Sequence, residues 1–210
     1  MRLLVHKQNR LFDLLLSGLL IILSAPVMVA VALLIASIDG FPVLFVQPRS
    51  GYLGGVFRLV KFRTMRESFV KINDYHRITK LGAWLRKTGL DELPQLFLVL
   101  SGKMSIVGPR PLLPEYLNLY SDRQAQRFLV KPGITGYAQI FTEPDASWEC
   151  RLEADVWYVE NRTVLLDLKL TLYTAKYIFR SIFFKKSYKR ESFEKFLGNS
   201  PGQNNIAKNP

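Results

Sequence analysis

Cysteine and histidine are nearly missing from these 210 residues: one Cys, at position 150, and two His, at positions 6 and 76. A lone Cys150 excludes an intrachain disulfide and any Cys-x-x-Cys or Cys/His metal spacing, and it suits a reducing compartment. His6 and His76 stand in no HExxH-type pattern, so a His-based metal centre or a Ser-His-Asp triad is poorly supported. Acids are scarce as well, with 17 Asp+Glu against 29 Lys+Arg and a formal net charge of +12. Such a surplus points to an anionic partner, whether phospholipid, nucleic acid or a phosphorylated substrate, and does not choose among them. There is no internal repeat, and compositional bias is confined to the C-terminal tail.

Charge is absent altogether from Leu14 to Ile38. That run exceeds both the ~20 residues of a spanning helix and the ~7–15 apolar residues of a signal peptide, and Ile38-Asp39-Gly40 is no small-x-small cleavage site. The segment is therefore expected to meet a membrane. Pro26 at its middle removes a backbone donor and clashes with the preceding turn. Arg2, Lys7 and Arg10 flank one end, and Arg49, Arg58, Lys61, Arg63 and Arg66 follow the other. With both flanks basic, the positive-inside rule does not orient a span. A kinked spanning helix and a re-entrant helix, broken near Ser24-Ala25-Pro26 and returning to the same face, both remain open on these grounds.

The length suits one domain with appendages. The expected organisation is a membrane anchor over residues 1–40, a catalytic or binding domain over 41–184 and a basic, disordered tail over 185–210. Val43–Val46 and Val56–Val60, joined by the Gly-rich Ser50–Gly55, predict a β-hairpin. Helices are expected over Tyr75–Arg86, Glu92–Leu100, Leu112 to about Val130, Ser147 to Glu160, and Val164 to Phe184. The last carries an apolar stripe of Leu165, Leu168, Leu172, Ala175, Phe179 and Ile182, suited to the core or to a membrane interface. The fold class is thus mainly α with a small β-hairpin (α+β), with interfacial amphipathic helices beside the anchor.

Within this basic chain, Asp91 and Glu92 stand side by side where Thr88–Phe97 turns apolar. Asp caps helices and Glu favours a first turn, so the pair could simply begin a helix. Adjacent helical side chains diverge by about 100°, so two carboxylates there suit two different tasks: nucleophilic attack on phosphorus, and holding a hard cation such as Mg²⁺. Nearby lie Lys61-Phe62-Arg63-Thr64, Arg86-Lys87, and Arg110 between Pro109 and Pro111. Arg110 stands out because its stiff loop restricts where the planar, phosphate-matching fork can point. A solvated or lipid-facing surface is the alternative for each cation. No aromatic platform interleaves with them, so nucleic acid is not an expected partner.

The motifs LFDLLLSGLLIILSAP, VLFVQPRSG, VKFRTM, LRKTGLDELPQLFLVLSGKMSIVGPRPLLPEY, KPGITGYAQ and ADVWYVENRTVLLDLKL come in an order that resembles the bacterial sugar transferases. These are small monotopic polyprenyl-phosphate phosphoglycosyl transferases, and the likeness runs from about residue 7 to 180. It implies a re-entrant anchor and catalysis at the cytoplasmic face of the bacterial inner membrane, and it is compatible with a homodimer. It also implies Mg²⁺ and transfer of a sugar 1-phosphate from a UDP-sugar to undecaprenyl phosphate, with loss of UMP, through a phosphorylated aspartate. By position, Asp91 resembles the nucleophile and Mg²⁺ ligand, and Glu92 its partner. Lys61, Arg86 and Arg110 resemble phosphate-binding cations, and Ser24 and Pro26 mark the helix break. Close relatives place Ser directly before that proline, whereas here Ala25 intervenes. They often carry Gly-Arg-Asn where this chain has Phe141 to Asp145. A non-catalytic membrane module binding acidic lipid or nucleic acid is the alternative function.

Overall fold

The structure, a computed structural model, describes residues 2–66, 77–143 and 145–183; the tail expected over 185–210 lies outside them. The described chain is mainly helical with two small sheets. Helix α1 (Arg2–Ile38) is followed by a hairpin of β1 (Leu44–Ser50) and β2 (Val56–Phe62). Then come α2 (Lys80–Thr88), a 3₁₀ turn (Leu90–Glu92), α3 (Gln95–Leu100) and β3 (Ser105–Val107). The chain continues through α4 (Asp122–Ala125), β4 (Gly133–Thr135), α5 (Tyr137–Phe141), α6 (Trp148–Asn161) and α7 (Val164–Phe183).

The hairpin forms as its sequence predicts, antiparallel with Leu44 opposite Phe62 and Ser50 opposite Val56. The expected helix over Tyr75–Arg86 is described only from its C-terminal part: α2 begins at Lys80, where the Thr79 hydroxyl accepts from the Gly82 amide, and residues 67–76 lie outside the described chain. The single helix expected from Leu112 to Val130 is not there. Pro114 opens a 3₁₀ turn (Pro114–Leu119), Tyr120 is extended, and Ser121 with Gln124 builds a capping box that starts α4, which passes into a second 3₁₀ turn (Gln126–Leu129). Local capping and proline chemistry outweigh the apolar periodicity. The pairing of β3 with β4 was also not expected. It is parallel, Ser105 to Gly133 and Val107 to Thr135, and it joins the GPRP loop to the KPGITG block. A Cβ on Gly133 would lie 2.1 Å from the Gly108 amide nitrogen, so the two loops meet only because glycine stands at this contact.

Helix α1 runs through Pro26, and the Ser24 hydroxyl donates back to the Leu20 carbonyl at 2.6 Å. The expected break at Ser24 and Pro26 is therefore no gap in the helix: Pro26 omits one donor, and the turn around it remains helical. Both ends of α1 are tied to the same domain. Near the N-terminus, Arg10 donates to the Val99 and Leu100 carbonyls at 2.6 and 2.8 Å, capping α3. One turn on, the Asp13 carboxylate, 3% exposed, accepts from the Ser105 hydroxyl and the Ile106 amide, each at 2.9 Å. At the far end the Arg63 guanidinium donates to the carbonyls of Asp39, Gly40 and Phe41, and the Thr79 hydroxyl donates to the Asp39 carboxylate.

Between these ties, Phe12, Leu16, Leu20 and Ile21 pack on a core of Leu59, Leu96, Val99, Met104, Ile106 and Leu170. Val31 and Ile35 pack with Phe62 and Leu85 in a second cluster, and Leu93 touches both. Leu15, Leu19, Ile22, Leu23 and Leu33 face outward. So do Leu165, Leu168, Leu172 and Phe179 of α7, while Leu170 and Asp167 turn inward. The apolar stripe of α7 is therefore not its core face.

Asp13 carries the N-terminal tie, and Asp13→Ala would strand a buried amide and hydroxyl. Unfolding stability is expected to fall by about 2–4 kcal/mol, while Asp13→Asn, which keeps an acceptor, loses less than half of that; thermal denaturation in detergent checks the difference.

Candidate active site

Lys87 closes the last turn of α2 with Arg86, and Gly89 reverses the chain in the left-handed region at φ 73°. The 3₁₀ turn Leu90–Glu92 follows, then Pro94, and only then α3. The acid pair thus does not open the expected helix over Glu92–Leu100; it occupies a tight turn of its own, between two helices. In a 3₁₀ turn successive side chains diverge by about 120°, which separates the two carboxylates further.

Glu92 lines a cleft together with Arg49, Leu59, Lys61, Gln95, Arg110, Pro111 and Gly133. Its Oε1 receives Nη2 of Arg110 at 3.2 Å. Asp91 does not line that cleft. It is 3% exposed, its Oδ1 sits outside any hydrogen bond among the described residues, and Lys61 lies close enough to act on it electrostatically. Arg86 joins this neighbourhood through Nε, which donates to the Thr64 hydroxyl at 2.8 Å just beyond β2. The structure therefore brings together all five residues singled out for chemistry: Asp91, Glu92, Lys61, Arg86 and Arg110. Ser24 and Pro26 belong to α1 and do not line this cleft.

The cleft is electrostatically loaded. Burial, and then the neighbouring Arg86, pull the Lys61 ammonium down from 10.5 to about 8. Burial and the nearby Arg110 likewise lower the Arg49 guanidinium, to about 10. Such values follow when cations are packed together out of water, and they relax when an anion enters.

The loop carrying Arg110 is held from behind. Arg127 donates through Nε and Nη2 to Asp155 at 3.2 and 2.7 Å, and the same Nη2 reaches the Arg110 carbonyl at 2.7 Å. Both partners of this pair are buried. Their packing excludes water from the pair, so removing either one would leave an uncompensated charge. The Tyr158 hydroxyl of α6 donates to Asp167 of α7 at 2.5 Å and lies 3.2 Å from the Val107 carbonyl, beside the adjacent β3.

Arg49, Gln95, Arg127 and Asp155 were not singled out from the sequence, because nothing in local spacing tells a buried arginine from a surface one. Arg63 was grouped with the phosphate-suited cations, yet it serves the carbonyls after α1. Among the described residues no cluster of three metal-ligating side chains occurs. A Mg²⁺ ion is commonly held by one or two carboxylates, with phosphate oxygens and water completing the shell. The acid pair, with Asp91 as the protein ligand, would suit such a substrate-completed site and not a protein-only cage.

Known proteins match this chain over most of its length. The family described as "Bacterial sugar transferase" matches residues 4–181. An uncharacterized sugar transferase, EpsL, of Bacillus subtilis is 45% identical over 80% of this chain and 85% of its own length. The UDP-glucose:undecaprenyl-phosphate glucose-1-phosphate transferase of Klebsiella pneumoniae is 38% identical over 86% of this chain and 41% of its own length. The undecaprenyl-phosphate galactose phosphotransferase of Salmonella typhimurium is 35% identical over 82% of this chain and 40% of its own length. The chain thus spans less than half of these two longer relatives.

The Lys61 value is directly testable. In an NMR titration of Lys61 labelled at the side chain, the midpoint is expected near pH 8 instead of 10.5. Because Arg86 depresses it, Arg86→Gln is expected to move the midpoint upward, and a wild-type midpoint above pH 10 would refute the buried cationic cleft.

Proposed function

The chain belongs to the bacterial sugar transferase family, and from that premise we propose that it is a polyprenyl-phosphate phosphoglycosyl transferase. It moves a sugar 1-phosphate from a UDP-sugar to undecaprenyl phosphate, as the first membrane step of glycoconjugate synthesis. The observation that carries this reading is the buried Asp91 beside Lys61, next to a cleft in which Glu92 and Arg110 are paired. A cation-lined cleft suits a diphosphate, and a buried carboxylate at its edge suits attack on phosphorus. The names of the Klebsiella and Salmonella relatives agree with this class of reaction.

In the proposed sequence an Asp91 oxygen attacks the phosphorus that bears the sugar. The bond from that phosphorus to the bridging oxygen breaks, and UMP leaves with the electron pair. An aspartyl phosphosugar remains. A phosphate oxygen of the polyprenyl acceptor then attacks the same phosphorus, the acyl phosphate bond breaks, and the Asp91 carboxylate is restored. Lys61, Arg86 and Arg110 hold phosphoryl oxygens and offset charge as it develops. Glu92 aims Arg110. Bound Mg²⁺ would supply further neutralisation of phosphate charge, with Asp91 as its protein ligand.

We further propose a re-entrant anchor at the cytoplasmic face of the bacterial inner membrane. Support comes from the ties at both ends of α1: Arg10 and Asp13 at one, Asp39 at the other, all to the same domain. A span would carry those ends to opposite sides of about 30 Å of hydrocarbon, beyond simultaneous reach of one water-facing domain. The outward leucines and isoleucines of α1 and the exposed stripe of α7 then face lipid.

Purified protein with Mg²⁺ and undecaprenyl phosphate should release UMP from a UDP-sugar within a panel. Asp91→Asn should cut that release by roughly 10³-fold or more, and full activity in this variant would defeat the nucleophile assignment. For the anchor, Gln8→Cys in a Cys150→Ser background and the native exposed Cys150 should be labelled from the same side of inverted vesicles. Labelling from opposite sides would establish a span instead.

A further inference from the structure

Arg49 is the cation in the cleft that the mechanism above does not use. It stands on β1 opposite Phe57, part-buried, and its polar contacts are all with neutral groups. Nη2 donates to the Gln47 side-chain oxygen at 2.7 Å, Nη1 reaches the Pro111 carbonyl at 3.5 Å, and the buried Nε donates to nothing among the described residues. No carboxylate forms an ion pair with it among those residues. The charge that acts on it most is that of Arg110, another cation. Arg49, Lys61 and Arg110 line the cleft against one carboxylate, Glu92, and Arg110 already engages that carboxylate. A guanidinium held out of water beside a like charge is unfavourable in the empty protein. Such a placement becomes favourable when a second anion occupies the cleft.

The electrostatic neighbours give that anion a position. Around Lys61 are Arg86, Asp91, Arg110 and Glu92; around Arg49 are Arg110 and Tyr116, with neither acid of the pair. Arg110 thus acts on both of the other cations of the cleft, while Asp91 acts on Lys61 and not on Arg49, which orders the row from Lys61 through Arg110 to Arg49. A diphosphate laid along this row has one phosphoryl group beside Asp91 and the other beside Arg49.

We propose that Arg49 binds the leaving phosphoryl group of the nucleotide donor, the phosphate that departs as UMP, while Lys61 serves the phosphoryl group that Asp91 attacks. This inference rests on the phosphoglycosyl transferase reading for the identity of the donor. The presence of an anion at Arg49 follows from the cleft alone. Arg49 is then a donor-binding residue, and its planar fork matters as well as its charge.

The experiment compares wild type, Arg49→Gln and Arg49→Lys. In steady-state UMP release, Arg49→Gln is expected to raise the KM for the UDP-sugar about tenfold or more and to weaken inhibition by added UMP in parallel. The KM for polyprenyl phosphate should stay within about twofold of wild type. Arg49→Lys should fall between the two, since it keeps the charge and loses the fork. Should Arg49→Gln fail to fold, Arg49→Lys, which leaves no neutral gap in the strand, carries the same comparison. Unchanged donor KM and UMP inhibition, or a rise confined to polyprenyl phosphate, would overturn the proposal. A second arm measures binding of inorganic pyrophosphate without turnover. Loss of pyrophosphate affinity in Arg49→Gln supports the anion site even if no UDP-sugar yields UMP, in which case the enzymatic reading fails and the site stands. Pyrophosphate affinity that is indifferent to Arg49 refutes the site, whatever the enzyme does.

Discussion

Everything in this molecule depends on a single small domain holding both ends of one long apolar helix. Arg10 and Asp13 grip it near the start, on the C-terminal carbonyls of α3 and on the Ser105 hydroxyl and Ile106 amide of β3, and Arg63 and Thr79 grip the segment that follows it. These are polar ties at the two ends of a charge-free run, and burial makes those of Asp13 the costliest to break. Because α3 follows the acid pair and β3 precedes the GPRP loop, the elements that seat the helix are also those from which the cleft residues Gln95 and Arg110 extend. The seating of the apolar helix and the geometry of the cleft are therefore one construction.

The cleft is the second consequence. Backbone crossings at Gly108 and Gly133 bring the arginine loop against the β3–β4 pair, and the Arg127–Asp155 pair supports it from behind. This support leaves Arg110 able to reach Glu92 across the opening. What results is a wall carrying more positive than negative charge, partly shielded from water. A site of that kind binds phosphates strongly because its cations need no rearrangement to meet them. It also explains why lysine and arginine, which ordinarily avoid burial, are gathered here.

How legible was this beforehand? The hairpin, α6 and α7 could be read because turn glycines and apolar periodicity are local signals. The five chemical residues could be read because an acid pair and a proline-locked arginine are rare patterns, and because their order resembles a family. The stretch from Leu112 to Val130 misled, since its spacing suited a helix while Pro114 and the Ser121 capping box divided it. The stripe of α7 also favoured two faces equally, and only packing put Leu170 inside and Leu165 outside. The parallel strands escaped notice because three residues carry too little pattern to be recognised without their partner.

A strongly cationic chain with a long charge-free apolar run and an acid pair among phosphate-suited residues is legible before folding, because composition, charge-free length and motif order are properties of the chain read in one dimension. Which of the many basic residues line the cleft is settled only when the chain is folded. Arg63, two positions from Lys61, turns to backbone carbonyls after α1, whereas Arg49, more than forty positions from Asp91, enters the cleft. The reason is geometric: strand alternation and loop crossings assign each side chain to a face, and that assignment depends on partners far away in sequence.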